Sequence, residues 1–92
     1  MKFIYPAIFS PTSEGGYEAI FPDLEFCHAQ GDTLDEAVEN AHEAANEWLQ
    51  TELAEDVPQF PPVSDLSDLS LKEGETARNI CVTLRFYEGW DE

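Results

Sequence analysis

The sequence predicts an α+β fold: one two-layer domain of order β-β-β-α-β, with a main helix packed on one face of a sheet. Three observations carry that expectation. The chain has 92 residues, enough for one core and no second one. Runs of aromatic and β-branched residues lie before Gly31, separated by turn-forming Pro and Gly. Thr33-Leu34-Asp35-Glu36 is a Thr-x-x-Glu capping box, and apolar residues recur beyond it at three-and-four spacing.

The first strand is read from Phe3 to Phe9, in which Pro6 removes a ladder donor and so suits an edge strand or a non-pairing position. It is expected to end before Pro11. Glu14-Gly15-Gly16 closes a polar turn, and Tyr17 to Phe21 resumes an extended pattern, which together signal a β-hairpin. Pro22 pushes Phe21 toward extended backbone, and Asp23 suits a turn because its side chain bonds nearby backbone. A third strand follows, roughly Phe26 to Gln30.

Gly31 lets the chain turn. Thr33 is placed to accept from the Glu36 amide, and Glu36 to reach back to Thr33. The helix is expected from Leu34 to Leu53. Leu34, Ala37, Val38, Ala41, Ala45, Trp48 and Leu49 make its buried stripe, and Asp35, Glu36, Glu39, Glu43, Asn46 and Glu47 turn away. His42 borders that stripe, where packing is its expected role. Residues 55–72 lose the pattern and read as a connection that wraps back, with at most a short helical turn between Ser64 and Leu69. After the Glu73-Gly74-Glu75 turn, Asn79 to Phe86 forms the last strand. Were that strand parallel to the first, the right-handed crossover rule would leave very few topologies.

Twenty acidic residues against four basic ones give a net charge of −16. Lys2, Lys72, Arg78 and Arg85 are too few and too scattered to neutralise a phosphate backbone, so direct nucleic-acid binding is not expected. A basic protein is the partner such a field attracts, although the same acidity also serves solubility alone. A chain this short has a marginal core, and a homo-oligomer is expected. No apolar run approaches the roughly 18 residues of a membrane span, and MKFIYPAIFS has no signal-peptide pattern, so the expectation is cytoplasmic. Cys27 and Cys81 are read as buried free thiols. Cys27-His28 is not a metal site on this reading, because neighbours in a strand point to opposite faces and no CxxC or spaced His pair accompanies them.

Gly16-Tyr17-x-Ala19-x-Phe21-Pro22-Asp23-Leu24, then Cys27, then Gly31-Asp32-Thr33-Leu34-Asp35-Glu36-Ala37 with Asn40 and Ala41, resembles the HicB antitoxins and HicB-like proteins. The resemblance covers the first half of the chain. It implies a truncated ribonuclease H-like domain without nuclease activity that neutralises HicA, a small basic toxin that cleaves messenger RNA. Two departures stand out. Glu25-Phe26 replaces the Pro-Gly usual in that family before the cysteine, so a glycine is lost and an aromatic ring gained. The sequence also ends six residues after Phe86, which leaves no room for the DNA-binding module many relatives carry, so autorepression by direct DNA contact is not expected.

No catalytic residue, cofactor or metal is expected. A ribonuclease H enzyme needs carboxylates converging on divalent ions, whereas Asp23, Glu25, Asp32 and Asp35 are accounted for by turn and cap chemistry. The candidate partner-binding residues are Asp23, Glu25 and Phe26 at the turn before the third strand, and Trp90 near the C-terminus, an aromatic that either clamps the core or anchors an interface. Two functional readings follow. One is a HicB-like antitoxin that binds a basic HicA-type toxin. The other is a free-standing HicB-like oligomer that serves as a binding or regulatory module for another protein.

Overall fold

The computed structural model describes residues 2–57 and 59–84. The chain forms β1 (Lys2–Pro11), β2 (Tyr17–Ile20), β3 (His28–Gly31), α1 (Leu34–Leu53), a 3-10 turn (Leu66–Asp68) and β4 (Thr76–Thr83). The four strands make one antiparallel sheet ordered β3-β2-β1-β4, with α1 packed across it. The expected α+β architecture and the helix limits are what the structure has.

Register explains which residues form the core. Phe3 pairs with Val82 and Tyr5 with Ile80, so alternate residues of the two strands share a face. Tyr5, Ala7, Phe9, Ala19, Ile80 and Val82 are buried beneath Ala37, Ala41, Ala45 and Leu49 of α1. Each large apolar side chain fully buried here contributes roughly 1.5–3 kcal/mol. The alanine stripe lets the helix approach closely, and the close approach is tightest at Gly31. A Cβ there would lie 2.5 Å from the Ala37 backbone nitrogen.

The capping box forms with one change. Thr33 Oγ1 accepts from the Glu36 amide at 3.1 Å as expected, but the Glu36 carboxylate accepts from the amide of Asp32, at 2.6 Å, instead of Thr33. Asn40 Nδ2 donates to the Gln30 carbonyl at 2.7 Å, tying α1 to the edge strand. That bond blunts an edge otherwise open to pairing.

The last strand is antiparallel to the first, so no parallel crossover arises. The reason lies in the length of the preceding connection. The helix starts at the Gly31 end of the sheet and finishes at the opposite end, where the Trp48 indole N–H donates to the Glu25 carbonyl at 2.9 Å. A short loop there would launch β4 parallel to β1. Residues 54–75 instead travel back, held by Tyr5 Oη donating to the Pro61 carbonyl at 2.6 Å and by Ser64 on Asp23. Near the far end, Ser10 Oγ donates to the Glu75 carboxylate at 2.8 Å. Thr76 then enters opposite Phe9 and Thr83 leaves opposite Lys2.

Several boundaries shift for identifiable reasons. Pro11 belongs to β1 because it pairs with Tyr17, and β4 begins at Thr76 because Thr76, Ala77 and Arg78 already pair with β1. Pro6 lies below the last β1–β2 pair, Ile8 with Ile20, so β1 has only β4 beside it there. A missing donor on the other side costs no ladder bond. The expected strand residues Arg85 and Phe86 lie outside the described residues. His42 is exposed and does not pack. Cys27 is buried as expected, but Cys81 is exposed on the sheet face away from the helix, because it alternates with buried Ile80 and Val82.

Candidate protein-binding site

The turn between β2 and β3 is set by backbone hydrogen bonds that leave Phe26 no choice of conformation. The amides of Leu24 and Cys27 donate to the carbonyls of Phe21 and Leu24 at 3.2 and 3.1 Å, and the Phe21 amide donates to Cys27 at 3.1 Å. Between them Phe26 sits at φ 63°, the sole positive-φ residue other than glycine among the described residues. Such backbone costs a bulky L-residue roughly 1–2 kcal/mol. Phe26 recovers little of that by burial, since the residue is 90% exposed.

Around this ring the structure brings together Glu25 and Phe26 from the turn and His28 from the start of β3 with Glu47, Trp48 and Glu52 from the last two turns of α1. They line an open cleft of about 520 Å³. Trp48 is half-buried against the core, and its indole N–H bond to Glu25 fixes the turn to the helix. No basic residue occupies the last turn of α1. The helix C-terminus carries partial negative charge, so carboxylates there meet a potential of their own sign. Glu52 relieves part of this by accepting the Gln59 amide at 3.0 Å.

Asp23 is placed differently. One carboxylate oxygen accepts the Ser64 amide at 2.7 Å and the other the Ser64 hydroxyl at 2.6 Å, so this residue anchors the connection to the turn. Burial, and then the negative charge of Asp23, push the Tyr5 phenol above its ordinary value. Burial also pushes the Cys27 thiol up to about 11. Trp90 lies outside the described residues.

The carboxylates weighed for metal-ion catalysis are not assembled into one site. Asp23 and Glu25 lie at the Ile20–His28 end of the β2–β3 pair, and Asp32 and Asp35 follow from the Tyr17–Gly31 end, so these carboxylates do not converge. Among the described residues no group of three or more His, Cys, Asp and Glu could hold a metal ion, and no helix is long and apolar enough to cross a membrane. The carboxylates of Glu47 and Glu52 and the Trp48–Glu25 bond were not found from sequence. Helical periodicity puts Glu47 on the outer face and Trp48 at the edge of the stripe, but gives no distance to the turn.

Comparison with known proteins places this geometry. A family model described as a HicB-like antitoxin of bacterial toxin–antitoxin systems matches residues 5–84. A UPF0150 protein of Synechocystis is 39% identical over 54 residues, 59% of this chain and 68% of that protein. Antitoxin HicB 1 of Photorhabdus laumondii is 48% identical over 40 residues, and the match spans 44% of this chain but 26% of the antitoxin. Among solved structures, the N-terminal domain of the Burkholderia pseudomallei antitoxin HicB superposes with a TM-score of 0.74 at 29% identity, covering 89% of this chain and all of that domain. A chain of the HicA3–HicB3 toxin–antitoxin complex gives 0.65 at 28% identity, covering 85% of this chain and 95% of that one.

Proposed function

The chain belongs to the HicB-like antitoxin family of bacterial toxin–antitoxin systems, and from that membership we propose that it binds and occludes a small, basic, RNA-cleaving toxin of HicA type by protein–protein contact, with no catalysis of its own. The observation that carries the reading is the likeness to a chain of the HicA3–HicB3 complex over 85% of this sequence. The net charge of −16 supports it, because complementary charge speeds encounter with a basic partner. Glu25 and Phe26 form the contact surface on this reading, and Asp23 holds the turn that presents them. The same reading places the protein in the cytoplasm, where the toxin meets its RNA, and as a homo-oligomer.

Co-expression with a basic protein encoded beside this chain tests the proposal. The neighbour alone should arrest growth, and this chain should restore growth and co-purify with it. If the neighbour is toxic and neither rescue nor co-purification occurs, the antitoxin reading is wrong and the free-standing binding module replaces it.

A further inference from the structure

We infer that the cleft between the β2–β3 turn and the C-terminal end of α1 receives an arginine side chain of the basic partner, with Phe26 as its exposed aromatic wall and Glu25 and Glu47 as its anions. The inference rests on the proposed function for the identity of the partner, and on the chemistry of the cleft for what it takes.

Three features point to the same occupant. Phe26 is held at φ 63° and is 90% exposed, so a strained residue is displayed where the free protein gains almost nothing from it. Trp48, also lining the cleft, gives a second aromatic, and a guanidinium stacks on such rings and bonds carboxylates in the same pose. Glu52 lies in the last turn of α1, which carries no Lys or Arg, and Glu47 one turn before it lines the same cleft, so the negative helix end and two carboxylates favour a cation there. Among the described residues no Lys or Arg lines the cleft. A second copy is a poor occupant of this cleft, because a chain with twenty acidic and four basic residues has few cations to set against Glu25, Glu47 and Glu52, and a homo-oligomer would form through another surface.

An NMR titration of the full chain with a hexa-arginine peptide tests this without the natural partner. The Trp48 indole N–H and the amides of Glu25 to His28 should move most. Shifts confined to the acidic face between Asp35 and Glu43, shifts spread evenly over the chain, or no shifts at all would overturn the inference. Phe26→Gly keeps the turn, since glycine adopts this backbone freely, and should weaken peptide binding about fivefold or more. Unchanged binding by that variant would also overturn it. A Glu25→Gln/Glu47→Gln double variant should lose more affinity than Glu39→Gln/Glu43→Gln, which removes equal charge elsewhere, and equal losses would reduce the cleft to general acidity. The two ideas fail separately. If the peptide seats in the cleft but the neighbouring protein is not neutralised, the antitoxin reading falls and the arginine site stands; the reverse outcome removes the site alone.

Discussion

Phe26 stands in a backbone conformation that glycine takes at no steric cost, and the free chain gains little from its exposed ring. Replacing it with glycine should therefore raise stability, by up to about 1 kcal/mol once glycine's greater freedom in the unfolded chain is subtracted. Urea unfolding reads this directly, and a loss of stability would mean that the ring packs within its own chain. Stability and binding are thus expected to move in opposite directions at one residue. Cys27 gives a second prediction. Burial lifts its thiol from 9.0 to about 11, so between those values the native state keeps a proton that the unfolded chain releases. Its contribution is complete below about pH 9 and is lost as pH rises toward 11. Tyr5 adds to the same alkaline loss, since its phenol is also raised and must keep its proton to donate to Pro61. Melting temperature should accordingly fall across that alkaline range, and a flat profile would contradict the burial argument. Cys81, exposed, should react with iodoacetamide in the native protein while Cys27 is protected, with mass spectrometry locating the label.

Elements differ in how legible they were. The helix was readable to both ends because Thr33 and Glu36 mark its start and the alanine stripe its face, all local signals. Its orientation against the sheet was encoded at Gly31, whose hydrogen stands where a Cβ would meet Ala37 backbone. Gly31→Ala should cost several kcal/mol because backbone, unlike a flexible side chain, cannot step aside. Circular dichroism should show a melting drop far larger than that of an alanine at exposed Gly15, where positive φ but open space is the sole penalty. The direction of β4 was not readable. It depends on where residues 54–75 are pinned, and the pins join positions far apart in sequence, such as Asp23 with Ser64. The cleft escaped for the same reason: Glu25 and Trp48 each carry a local signal, but their meeting is a tertiary event. Asp23→Ala leaves the Ser64 amide and hydroxyl without their carboxylate partner and should cost about 1–3 kcal/mol. Hydrogen exchange should then rise from residue 59 to 75 ahead of α1. Uniform exchange through both would show the connection to be no separate unit.

At the scale of the whole molecule the sequence carries a charge of −16, and the described residues span 47 × 26 × 19 Å. The Debye length at 0.1 M salt is about 10 Å, shorter than every one of those dimensions. Most of the molecule's field is therefore screened from an approaching partner in ordinary buffer, and a contact made inside the cleft is screened far less. The two contributions separate kinetically. Steering by net charge governs association, so the on-rate for a basic partner should fall steeply as salt rises. Dissociation depends on the desolvated contacts, so the off-rate should change little with salt but rise when Phe26 becomes glycine. Self-repulsion makes the opposite demand on the free chain, whose unfolding midpoint should increase with salt over the same range. Stopped-flow association and thermal melts on one salt series measure all three. If salt speeds dissociation as strongly as it slows association, the complex is held by diffuse charge, and the aromatic cleft has no special part in it.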